Sequence, residues 1–91
     1  FGYYDNDRLA LNLVEVNTLC PYTTVTINMP KVNISKDQII VKNYNENKGI
    51  IGFLLKNKLV KEDYNYFYVG LGGQCCICNI TDKLKEFVDE N

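Results

Sequence analysis

The four cysteines have the most chemistry open to them, and their spacing divides them into a solitary Cys20 and a cluster of Cys75, Cys76 and Cys78. On an extended strand Cys75 faces opposite to Cys76 and Cys78, so the cluster cannot close on itself as a set. Any long-range disulfide therefore needs Cys20. It would close a loop of more than fifty residues, which in the chain-entropy account stabilises a small domain by roughly 4 kcal/mol. The expectation is a bridge from Cys20 to one member of the cluster, and with it an oxidising compartment. Reduced core thiols, or a small thiol-redox or metal-binding protein, are the alternatives. Cys75 and Cys78 have C-x-x-C spacing, but no second pair accompanies them and adjacent Cys75 and Cys76 would crowd a tetrahedron. No metal site is expected.

Other catalytic constellations are missing from the sequence. It has no histidine, which excludes histidine-dependent triads and every imidazole-ligated zinc centre. The acidic pairs Asp5 with Asp7 and Glu62 with Asp63 lie in polar, turn-like segments where solvated charge is the ordinary state. Gly70-Leu71-Gly72-Gly73 follows a strand-like run as a phosphate loop would, but no Gly-Lys-Ser/Thr comes after it. It is read as a bulge or bend. No catalytic residue, no cofactor and no enzymatic activity are expected. Asn33-Ile34-Ser35 and Asn79-Ile80-Thr81 have the form of glycosylation sequons, which makes Asn33 and Asn79 candidate modification sites.

A different chemistry belongs to Tyr64, Tyr66 and Tyr68. In a strand these three share one face, about 6.7 Å apart, with Phe67, Val69 and Leu71 on the other. If the second set points inward, the tyrosines form an amphipathic stripe suited to a protein or carbohydrate partner. The alternative is that they cover a second hydrophobic layer.

The elements that must position these residues follow from local patterning. Residues 9 to 17 are strand-like with an apolar face that switches midway, as a bulge or two-sided burial would produce. Thr24 to Met29 alternates as a half-buried strand until Pro30 removes a ladder donor. Ile39-Ile40-Val41 begins another strand, and Asn45 to Gly49 has the composition of a hairpin loop. Ile50 to Leu55 fits a buried strand or a short helix equally well. Tyr64 to Val69 and Gln74 to Ile80 are two further strands. Thr81 or Asp82 then caps a helix over 81–90 whose Leu84, Phe87 and Val88 share a face.

Ninety-one residues with an ordinary apolar fraction fit one domain, with 1–7 flexible, and a net charge of −1 supplies no long-range field for nucleic acid. The longest apolar run is far below the ~20 residues that cross a bilayer. The chain begins at Phe1, so either a leader has been removed or the sequence starts inside a longer protein.

Two segments resemble known families. Asn47 to Leu71 resembles part of a winged-helix domain, with a helix over Lys48 to Asn57 and then a hairpin through Tyr64 to Leu71. That resemblance implies nucleic-acid binding, with the helix in the major groove and phosphate contacts from Lys42, Lys48, Lys56, Lys58 and Lys61. Val25 to Pro30 followed by Asp37 to Val41 is similar to the strand, proline and strand that open small heat-shock and co-chaperone β-sandwiches.

The resulting expectation is a mainly β (α+β) domain, an antiparallel sandwich-like fold of five or six strands with one C-terminal helix. Its expected role is that of a secreted or extracytoplasmic, non-enzymatic module that binds another protein or itself through Tyr64, Tyr66 and Tyr68. The intracellular winged-helix nucleic-acid binder is the runner-up.

Overall fold

The computed structural model describes residues 1–14 and 21–90. Within them the chain runs β1 (Gly2–Tyr3), β2 (Leu9–Ala10), β3 (Asn12–Val14), β4 (Pro21–Thr24), β5 (Gln38–Lys42), α1 (Ile50–Lys56), β6 (Asn65–Val69), β7 (Gly73–Asn79) and α2 (Asp82–Asp89), with a 3-10 turn at Asn45–Asn47. The seven strands form three small antiparallel sheets: β1 with β2, β3 with β4, and β5-β7-β6. The class is mainly β. Among the described residues the strands divide among three small sheets, which is not specifically a sandwich, and there are two helices where the coarse sequence pattern predicts one.

The long, charge-free β7 is the central strand of its sheet, and its central place buries it from both sides. Ile39 pairs with Cys78 and Val41 with Cys76, and these four side chains share the face that packs on Leu11, Val25, Leu54, Val60, Ile80 and Leu84. The opposite face carries Ile40, Cys75, Ile77, Phe67 and Val69, by the same pairings. β6 and β7 are joined by the glycine bend, where Gly70 and Gly72 have positive φ. At Gly73 the chains come so close that a Cβ would stand 2.6 Å from the Val69 carbonyl oxygen.

The ambiguous run at residues 50–55 is helical. Gly49, at φ 85, turns the chain into α1, which puts Leu54 at the bottom of the core with Ile50, Ile51 and Leu55 beside it, and leaves Gly52 and Phe53 outward. Apolar residues at i, i+1, i+4 and i+5 make one helical stripe, and packing of that stripe outweighs the cost of Gly52 inside the helix. Asn45 to Gly49 is accordingly a 3-10 turn leading into a helix instead of a hairpin loop.

Thr24 to Met29 departs from simple alternation, since Val25 and Thr26 are both buried. The chain changes partners there. Val25 N–H donates to Leu11 at 2.8 Å, Lys42 N–H donates to Val25 at 2.8 Å, and Ile27 N–H donates to Ile40 at 3.0 Å, so this segment links β3 to β5. The irregularity expected along residues 9–17 falls between Leu13 and Val14 as a register shift, and residues 15–17 lie outside the described residues.

Near the start of the chain Gly2 and Tyr3 pair with β2. Tyr3 stands opposite Leu9, and the Tyr4 hydroxyl lies 3.0 Å from Thr26 Oγ1. Arg8 donates to the Met29 and Val32 carbonyls at 2.8 and 2.7 Å, holding the loop that follows Pro30. At the far end Thr81 caps α2 by accepting from Leu84 N–H at 3.3 Å. Leu84 and Val88 face the core, while Phe87 stands half out with its ring 5.9 Å from Phe1.

Candidate interaction surface

β6 is an edge strand, and its alternation divides its side chains unequally. Phe67 and Val69 are half-buried, whereas Tyr66 and Tyr68 are each 60% exposed. Pairing with Cys76 and Gln74 puts the two tyrosines on the core-facing side of the sheet, at an edge that stands clear of the core. Their rings meet edge to face, with centroids 6.0 Å apart, a favourable arrangement for two aromatic quadrupoles. The three-tyrosine stripe is thus split. Tyr64 packs against the core, and only Tyr66 and Tyr68 are open. Leu71, grouped with the inward set on spacing alone, is fully exposed because it sits in the turn beyond the strand's end.

The main chain of the two tyrosines also points outward. Asn43 N–H donates to the Gln74 carbonyl at 3.0 Å, so Gln74 bonds toward β5. In an antiparallel ladder successive residues alternate their bonding side, so Gly73, Cys75 and Ile77 bond toward β6 through Val69, Phe67 and Asn65. The N–H and C=O groups of Tyr66 and Tyr68 are therefore directed away from β7. Beside Tyr68 lies an open cleft of about 560 Å³ whose lining includes Asn43, Tyr44, Lys48, Leu71 and Gln74. The Asn43 and Gln74 amides are joined at 2.6 Å.

The thiols are buried deeply. Cys75, Cys76 and Cys78 are free and without exposed surface, and Cys20, the expected bridging partner, lies outside the described residues. This differs from the expected bridge to the cluster. Burial raises all three thiols, and it pushes Cys78 up to about 12, with smaller contributions from Cys76 and Asp63. A thiol so protonated is a poor nucleophile and metal ligand at neutral pH. Among the described residues no three cysteine or carboxylate side chains converge on a common point.

Because the folded Cys78 thiol titrates above its ordinary value near 9, the unfolded chain releases this proton first as pH rises. The stability it contributes is complete below pH 9 and is lost between there and about 12. Denaturant midpoints measured across that window should fall for the wild type and fall less for Cys78→Ala, each relative to its own value at pH 7.

The two sequons have different settings. Asn33 is exposed in the loop before β5, whereas Asn79 is half-buried at the end of β7, with its amide 3.4 Å from Asp63 Oδ1 and its carbonyl accepting from Lys61 N–H. Of the lysines in the winged-helix resemblance, Lys48, Lys56, Lys58 and Lys61 are exposed, and Lys42 pairs with Glu46 at 2.8 Å. α1 and the β6–β7 hairpin occur in the order that resemblance requires, but strands precede them where that family has helices. α1 also spans only seven residues. No described helix is long and apolar enough to cross a membrane. No family model matches the chain, and neither a curated protein nor a solved structure matches it.

Proposed function

We propose that the chain is a non-enzymatic interaction module that binds another protein or a second copy of itself through the tyrosine pair on β6. One observation carries the reading: Tyr66 and Tyr68, each 60% exposed, stand together on an edge strand. Tyrosine presents a large apolar ring and a polar tip on only two torsions, so immobilising it costs little entropy, and it is enriched at the centres of protein interfaces. The extracytoplasmic part of the reading is supported by the exposed sequon at Asn33.

The test is to place a photo-crosslinking phenylalanine analogue at Tyr66 or Tyr68, and for comparison at exposed Lys36, in the cells that make the chain. A discrete adduct, either of two chains or of the chain with one other protein, is expected from positions 66 and 68 and not from 36. Irradiation that yields no adduct from either tyrosine position would overturn the proposal.

A further inference from the structure

We infer that the outer edge of β6 pairs antiparallel with β6 of a second copy, joining two β5-β7-β6 sheets into one continuous sheet. This rests on the interaction-module reading above and names its partner. Three observations carry it.

The main-chain groups of Tyr66 and Tyr68 point outward, as the register with β7 requires, and no described backbone group bonds to them. An unpaired edge of this kind is a ready template for another strand. The strand is also self-complementary. In Asn65-Tyr66-Phe67-Tyr68-Val69 the two tyrosines flank Phe67 symmetrically. A two-fold axis through Phe67 sets Tyr66 of each copy opposite Tyr68 of the other, and each such pair exchanges both of its N–H to C=O bonds. The outward groups are the ones this register uses, so both tyrosine pairs are hydrogen-bonded pairs and Phe67 meets its own symmetry mate.

Charge is the third observation. Natural edge strands repel copies of themselves with charged side chains, lysine above all. Here no charged residue occurs between Asp63 and Asp82. In the register about Phe67, Asp63 falls opposite Leu71 of the second copy, so no like charges oppose one another. A five-residue edge makes a small interface, and interfaces at that end of the size range are reversible.

Sedimentation equilibrium of the wild-type chain across a concentration series tests this. The weight-average mass is expected to rise from 10.5 kDa toward twice that value. Two double variants at these exposed positions then distinguish the edge from any other contact. Tyr66→Glu with Tyr68→Glu, and separately Tyr66→Lys with Tyr68→Lys, put like charges opposite each other and should each remain monomeric. Mixed, the acidic and basic variants should recover a dimer containing one of each. Circular dichroism of each variant alone shows whether it is folded. A wild type that stays monomeric at millimolar concentration, or an acidic variant that is folded and still dimeric, would overturn the pairing. A crosslink from position 68 to a different protein would sink self-pairing and leave the interaction-module reading standing, whereas no crosslink at all together with a monomeric chain removes both.

Discussion

Leu54→Ala is expected to lower unfolding stability by about 2–5 kcal/mol, enough to leave a large part of the chain unfolded at moderate denaturant. Leu54 is the one fully buried side chain of α1. It closes the core between the helix and the face of the β5-β7-β6 sheet that carries Ile39, Val41, Cys76 and Cys78. A helix of seven residues has no stability of its own and is held by docking. Removing the side chain therefore costs the transfer energy of the lost carbons and opens a cavity, and it also loosens the helix that the leucine anchors. Urea unfolding followed by circular dichroism should show a lower midpoint with an unchanged slope. Gly52→Ala is the control, because a Cβ there meets nothing within 4 Å and the position is exposed. It should stabilise α1 by up to about 1 kcal/mol. Equal effects from both substitutions would contradict the assignment of residues 50–55 to a docked helix.

Asn47→Ala is expected to cost about 1–3 kcal/mol, and Asn47→Asp more than that at neutral pH. Asn47 is only 2% exposed. Its amide donates to the Thr24 carbonyl at 2.7 Å and its Oδ1 accepts from the Thr23 hydroxyl, tying the turn before α1 to β4. Alanine leaves both threonine groups without this partner. Aspartate keeps an acceptor for Thr23 but turns a carboxylate toward the Thr24 carbonyl in a buried place, which disfavours the charged form. Its folded pKa then lies above its unfolded value of about 3.9, so stability is retained at low pH and lost as pH rises. The aspartate variant should therefore regain midpoint relative to wild type as pH is lowered from 7 to 4, and the alanine variant should not. A pH-independent aspartate defect would mean that the carboxylate has swung out to water.

Both substitutions test features that local pattern conveys unevenly. The sequence by itself determined the elements whose side chains alternate or repeat in register with one neighbouring surface. The pattern sets strands over Tyr64 to Val69 and Gln74 to Ile80, found at 65–69 and 73–79, with the glycines bending the chain between them. It also sets a helix from Thr81 or Asp82 with Leu84, Phe87 and Val88 on one face, of which Thr81 is the cap, Leu84 and Val88 face the core and Phe87 stands out. In each case the pattern is a property of residues within one or two turns or pleats of each other, so steric preference and amphipathicity suffice to specify it.

Tertiary structure decided what depends on a second surface. Residues 50–55 are apolar enough for either conformation, and the availability of a sheet face for a helical stripe settles the choice. Val25 and Thr26 are buried together because the chain passes from one strand partner to another, which no alternation within the segment can encode. Tyr64, Tyr66 and Tyr68 are equivalent by spacing, yet Tyr64 packs on the core while the other two stand open on the rim. The cysteines and the tyrosines lie on neighbouring strands of similar apolar content. Which strand becomes the buried centre and which the exposed edge follows from long-range pairing, because β5 joins β7 and not β6, and sheet order is a property of strand partners distant in the chain.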